Sequence, residues 1–246
     1  MYLLPLMPLC VPKIMSYQRE PTLNQISKAV KLSKNGSIAF TGCSDYISNQ
    51  IATVGDAYTV YNGVPIDQFT FNENVSEDAP LVFLGRIEEI KGTHIAIEVA
   101  NRTNKKLIIA GNIPNDHQSY FDLKVKPYLT ERIQYIGPVN DQQKNILLQN
   151  ASAFLMPILW NEPFGIVMAE AMACGTPVIG FKRGSVPEVV LNNKTGYVCD
   201  SVDEMCNAVI KISNISRNDV RNAAVLRFSG EVISNNYIDL YKKRIL

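Results

Sequence analysis

Two carboxylates stand eight positions apart, Glu162 and Glu170, in the run Trp160-Asn-Glu-Pro-Phe-Gly-Ile-Val-Met-Ala-Glu-Ala-Met-Ala-Cys-Gly-Thr-Pro177. Between Pro163 and Phe181 Glu170 is the only charged residue, set in a small, apolar segment of helical character. A carboxylate placed there must be neutralised, paired or given hydrogen-bond donors. A pair of ligand hydroxyls would serve, and so would a backbone N–H or a lysine. Glu162 stands just ahead of the helix, where Phe164 and Gly165 supply amide donors at the positive end of the helix dipole. That end suits a phosphate or a polar sugar; the alternative is that Glu162 merely caps its own helix. A second cluster, Gly85-Arg86 with Lys91-Gly92, follows an apolar run. A guanidinium and an ammonium five residues apart could converge on a diphosphate, and glycines let the backbone approach a ligand. An ordinary exposed strand–loop–helix junction has the same composition.

Such groups need a frame that brings distant loops together. Short apolar runs at 81–84, 107–110, 133–136, 153–156 and 178–179 alternate with segments of helical period, the pattern of an α/β fold with a parallel sheet and crossover helices. In such a sheet ligands bind at the carboxyl ends of the strands, where loops lead into helices. Asn140 with Gln143 and Ser201 with Glu204 mark helix starts of the capping-box kind. Behind Ser201, Met205, Ala208, Val209 and Ile212 define one buried face, and Val232, Ile233, Asn236, Tyr237, Leu240 and Tyr241 define a last amphipathic helix. The first third reads as helix at 22–34, strand at 37–41, helix at 44–52 and strand at 57–61. One β-α-β unit preceded by a helix cannot close a sheet alone.

Composition excludes several functions. The 246 residues carry 24 basic and 23 acidic side chains, net +1, so no global basic field points to nucleic acid. Cys10, Cys43, Cys174, Cys199 and Cys206 are odd in number and form no C-x-x-C pair, which fits a reduced, cytoplasmic protein. With only His94 and His117 there is no His-rich metal site, and the absence of G-x-G-x-x-G after any predicted strand disfavours a dinucleotide-dependent oxidoreductase. Residues 1–35 hold five basic residues against one acid, net +4, which reads as a solvated helix face or a phosphate or membrane contact. The apolar run at 1–12, broken by three prolines, is too short to span a bilayer. It reads as an extended segment packed on a neighbouring surface, with a peripheral membrane contact as the alternative.

The segment from Glu162 to Val178 resembles the Glu, seven residues, Glu signature of the retaining GT-B glycosyltransferases of the family-four type, the glycosyl transferases group 1. Other segments agree in the same order: Gly-Arg86 with Lys91-Gly92, Ile109-Ala-Gly111, Tyr135-Ile-Gly137-Pro-Val, Ser185-Val-Pro187-Glu188 and Thr195-Gly196-Tyr197. Upstream, Tyr61-Asn62-Gly63-Val64 resembles the linker into the carboxyl-terminal domain. The resemblance covers residues 58–200. It implies a Rossmann-like parallel sheet with helices on both faces, plus a partial second α/β unit. The expected division is 1–78, the end of an acceptor domain with its linker, and 79–246, a nucleotide-sugar domain with a return helix.

The resemblance also implies roles. Arg86 and Lys91 would hold a nucleoside diphosphate, Glu170 the ribose hydroxyls and Glu162 a hydroxyl of the transferred sugar. The backbone at Gly85, Phe164, Gly165 and Ile166 would approach sugar and phosphate, and Ile136-Gly137 would lie by the base. The co-substrate would be a UDP- or GDP-linked sugar, with no cofactor and no metal. His94 and His117 match no catalytic position. The residues before 79 contain neither histidine nor G-G-x-G, so acceptor chemistry would come from elsewhere: another copy of the chain, or a separate acceptor-domain chain, meeting residues 1–60. A nucleotide-sugar-binding subunit and a nucleotide-sugar epimerase are the alternatives to a transferase.

Overall fold

The computed structural model describes residues 9–245; the expectation for the apolar residues 1–8 lies outside them. The chain forms two compact units, one of the residues up to Gly63 together with those from Arg227 on, the other Val64–Leu226.

The second unit carries a six-stranded sheet with every pairing parallel. Its strands are β4 (Leu81–Leu84), β5 (Leu107–Ala110), β6 (Ile133–Tyr135), β7 (Ala153–Met156), β8 (Val178–Phe181) and β9 (Gly196–Cys199), in the order β6-β5-β4-β7-β8-β9. Strands buried on both faces read as continuous apolar runs, which is why the four interior strands are visible in the sequence; β6, the edge strand beside β5, shows through Ile133 and Tyr135 although Gln134 between them is exposed. The sixth, β9, is an edge strand with half-exposed residues. The core gathers Leu81, Leu107, Ile109, Leu155, Ile179, Val99 and Met205. The helices are α3 (Thr93–Arg102), α4 (Gln118–Lys124), α5 (Asp141–Gln149), α6 (Ile166–Ala173), α7 (Val186–Val189), α8 (Val202–Ile210) and α9 (Arg217–Phe228). α3 packs with α8, and α5 with α6, so helices cover both faces of a Rossmann-like sheet.

The predicted helix starts are present. Asn140 and Gln143 form a complete capping box on α5. Ser201 accepts from the Glu204 N–H, while the Glu204 carboxylate accepts from the N–H of Asp200. Met205, Ala208 and Val209 are buried as expected; Ile212 falls beyond the end of α8.

Among the described residues the first unit carries a three-stranded parallel sheet, β1 (Lys13–Tyr17), β2 (Ile38–Gly42) and β3 (Ala57–Thr59), with α1 (Leu23–Leu32) and α2 (Asp45–Ala52) as crossovers. β1 corrects the sequence reading, which placed no strand before the first helix; it is an edge strand of five mostly half-buried residues without an apolar run. Leu9 and Val11, read as part of a packed segment, are exposed. The last helix, α10 (Gly230–Ile245), buries Ile233 and Leu240 against Val60, with Ile14, Tyr58 and Tyr237 beside them. Arg244 pairs with Asp56 at 2.6 Å. No helix among the described residues is long and apolar enough to cross a membrane.

Candidate functional site

The strand order places a topological switch between β4 and β7, where neighbouring crossovers leave in opposite directions and a crevice opens at the strand ends. The loops after these two strands carry Arg86 and Lys91, and Trp160 and Glu162. They are stitched together by backbone. The Leu159 N–H donates to the Ile90 carbonyl at 2.8 Å, and Gly92, at φ +76°, passes so close that an added Cβ would lie 1.9 Å from the Pro157 oxygen. Only glycine satisfies both demands. The consequence is a contact between two predicted residues: Lys91 Nζ lies 3.0 Å from Glu162 Oε2, both side chains largely buried. The same ammonium sits 4.6 Å from the centre of the Trp160 ring. The N-cap position of α6 is Gly165, not Glu162.

Glu170 lies on α6, facing α5. Its Oε1 accepts from Lys144 Nζ at 2.7 Å, whereas its Oε2 is buried without a hydrogen-bond partner among the described residues. Of the partners open to it from sequence, a lysine takes one oxygen and the other is left over. Lys144 also pairs with Asp141 at 3.1 Å. Burial lifts the Glu170 carboxyl above its ordinary value, against the pull of the Lys144 ammonium. On Lys144 burial acts downward, but the Glu170 and Asp141 carboxylates outweigh it and hold the ammonium above its ordinary value.

A cleft of about 300 Å³ opens at the strand ends beside Glu170 and Lys144, lined also by Gly85, Arg86, Gly111, Asn112 and Ile166 among others. Arg86 reaches solvent there, its guanidinium bonded to the buried Glu88 at 2.8 Å. α6 starts after Gly165, at φ +72°, where a Cβ would meet Met168 Cε at 2.6 Å; Gly165 and Phe164 themselves are not in the cleft lining. The first N–H groups of a helix have no intrahelical acceptor, so Ile166 and Val167, both lining the cleft, bring donors to it. Phe164 is buried. Ile136, exposed, and Gly137, at φ +78° with open space around it, sit in the β6–α5 loop, whose next residues Pro138 and Val139 line the cleft. Of the predicted residues, Gly85, Arg86, Ile166 and Glu170 therefore share one cleft, Lys91 and Glu162 form a separate pair, and Ile136 and Gly137 stand outside the lining.

Sequence reasoning missed Lys144, Asp141, Asn112 and Trp160. The capping box places Lys144 in the first turn of α5, but nothing local says that this turn faces α6. His94 and His117 lie outside the cleft lining, His94 bonded through Nδ1 to Tyr120 Oη at 2.8 Å. Two larger clefts, about 740 and 660 Å³, are lined by other residues around Arg217 and around Tyr197. The smaller one holds the converging charges, so chemistry rather than size singles it out.

Comparison with known proteins gives a family model, described as glycosyl transferases group 1, that matches residues 66–225. A Bacillus anthracis N-acetyl-alpha-D-glucosaminyl L-malate synthase is 25% identical over 248 residues, covering 90% of this chain and 63% of that protein. A Mycobacterium tuberculosis glycogen synthase is 28% identical over 169 residues, covering 64% of this chain and 40% of its own length. Both matches span less than two thirds of the relative. Among solved structures, Anabaena HepE in complex with UDP and glucose aligns with a TM-score of 0.78 at 18% identity, over 94% of this chain and 72% of that one. AviGT4, a glycosyltransferase involved in avilamycin A biosynthesis, aligns with a TM-score of 0.72 at 26% identity, over 83% and 63%.

Proposed function

The chain belongs to the glycosyl transferases group 1, and from that premise we propose that it supplies the donor-binding half of a retaining glycosyltransferase that moves a hexose-type sugar from a nucleoside-diphosphate sugar to an acceptor. The observation that carries this reading is the buried, unpartnered Oε2 of Glu170 in a cleft shared with Arg86 and the start of α6. An orphaned carboxylate oxygen is costly, and a ribose hydroxyl donating to it would remove that cost. Arg86 stands at the cleft where a diphosphate would extend from the ribose, with the α6 amides beside it. Lys91 and Glu162 would then receive the outer phosphate and a sugar hydroxyl, exchanging their mutual pairing for the ligand. Backbone flanking Gly85 and Phe164–Ile166 would approach the phosphates and sugar, and Ile136 and Gly137 the base.

The chemistry fits these groups. As the bond from the sugar C1 to the diphosphate oxygen breaks, the electron pair leaves with that oxygen while the sugar becomes oxocarbenium-like; the acceptor hydroxyl oxygen then bonds to C1 and its proton passes to the departing diphosphate oxygen. Fixed cations and helix amides stabilise the charge on the leaving oxygen in place, so no metal is needed for that step. Residues 1–78 are read as the end of an acceptor domain together with its linker, residues 64–78 falling in the second compact unit. UDP is the first ligand to try because HepE is described with UDP and glucose.

Calorimetry with UDP, GDP and ADP tests the reading. Binding of at least one, lost on Glu170→Ala and weakened on Arg86→Ala, is the expected result. No binding to any of the three, or binding indifferent to both substitutions, would sink it.

A further inference from the structure

A carboxylate accepts strongly from hydroxyls only while it is ionised, and the surroundings of Glu170 resist ionisation. Its side chain is 11% exposed. Asp141 on α5 adds a like charge to the cost of burial, and the Cys174 thiol at the far end of α6, itself pushed up to about 12 by burial, contributes no charge. The other residues of α6 are uncharged. Arg86, from the β4–α3 loop, lines the cleft but is mostly in solvent and engaged with Glu88. Among the described residues the one cation in direct contact is Lys144, 2.7 Å from Oε1. It is fixed by position as well as by charge: it follows the capping box that starts α5, bonds Asp141, and lies 5.7 Å from the centre of the Phe69 ring.

We propose that Lys144 is a positioning residue of the donor site: its ammonium neutralises Glu170 and occupies Oε1, so that Oε2 is the acceptor presented to a ligand hydroxyl. This rests on the donor-binding reading above. The division of labour explains why one oxygen of a buried carboxylate is satisfied and the other is not. It also gives Lys144 a consequence beyond packing. Without the ammonium, Glu170 takes up a proton at higher pH and its hydrogen bonds to hydroxyls cease to be charge-assisted.

The test uses the full chain as wild type, Lys144→Met and Lys144→Arg, with two readouts: the carboxyl carbon signal of Glu170 titrated by NMR, and UDP affinity at pH 6 and pH 8 by calorimetry. Affinities are taken as ratios to wild type at each pH, which cancels titration of the nucleotide. In K144M, Glu170 should titrate at higher pH than in wild type. UDP should bind about tenfold more weakly at pH 6, roughly the gap between a charge-assisted and a neutral hydrogen bond, and the ratio should recover towards pH 8. K144R should restore both. Should K144M fail to fold, K144Q removes the same charge and is read in the same way. Unchanged titration of Glu170 overturns the proposal, as does a loss of affinity that is equal at both pH values and not rescued by arginine. Normal UDP binding by K144M overturns this proposal alone. A wild-type chain that binds no nucleoside diphosphate overturns the donor reading and this proposal with it.

Discussion

Two acid–lysine pairs eight residues apart behave differently. At the loop corner Lys91 bonds Glu162 and also lies over the Trp160 ring. Inside the helix Glu170 is deeper, shares Lys144 with Asp141, and keeps one oxygen without a partner. At the corner the Lys91–Glu162 pair is made, beside a Trp160 Nε1 that is buried without a hydrogen-bond partner among the described residues, and must be exchanged to hold a ligand. The helical pair is unsatisfied and gains from one. A carboxylate in a loop can turn to meet its partner; one fixed on α6 faces where the helix points, and its orphaned oxygen is a standing cost of about 1–3 kcal/mol. Stability and ligand recognition are thus opposed at Glu170 and nearly independent at Glu162.

The corner breaks most easily through the backbone. Gly92→Ala must place a Cβ 1.9 Å from the Pro157 oxygen at a positive φ. The left-handed conformation costs about 1–2 kcal/mol and the forced displacement about 1–3 more. A loss of about 3 kcal/mol by urea denaturation is expected, with Lys91 and Glu162 driven apart. The same substitution at Gly85, where a Cβ meets nothing closer than 3.9 Å, should cost less than about 1 kcal/mol. Equal losses at the two glycines would show that the stitching of the loops does not hold the corner.

Replacing each pair by methionines sharpens the contrast. Exchanging a buried ion pair for apolar side chains is often neutral or stabilising. Glu170→Met with Lys144→Met removes the orphaned oxygen as well, so the double variant should equal or exceed wild type by about 1 kcal/mol while losing UDP binding. Glu162→Met with Lys91→Met, a pair of similar burial, leaves no orphaned carboxylate oxygen to relieve and also gives up the cation–π contact with Trp160, so it should lose about 1 kcal/mol. Denaturation curves of the two double variants check the sign; the reverse order would mean that the helical pair is the stabilising one.

The same physics decides what could be read from sequence. The runs at 81–84 and 107–110 announce their strands because both faces of an interior parallel strand are buried. Lys13–Tyr17 and Gly196–Cys199 are edge strands with one protected flank, and their short mixed sequences carry no such run. Glu170 stands out because a charge in an apolar helix violates the local pattern. Its partner could not stand out, since Lys144 in the polar first turn of α5 violates nothing; only the packing of α5 against α6 gives it meaning. Likewise the Lys91–Glu162 contact joins loops 71 positions apart, and Gly92 gives only a hint of it.

The smallest effect separates the pairs by pH. Burial raises the Glu170 carboxyl above its ordinary value of 4.5, so between that value and the raised one the folded chain binds more protons than the unfolded chain. Stability then falls as pH rises through this window. Glu170→Gln has no proton to release, so the difference between wild type and Glu170→Gln should decline from pH 4 to pH 7 by a fraction of a kcal/mol to about 1 kcal/mol. In the K144M background nothing opposes the rise, and the decline should extend to higher pH. Urea denaturation across that range reads the slope directly. A difference that grows with pH would mean that Lys144 more than compensates for burial, and that Glu170 is held ionised at a gain rather than a cost.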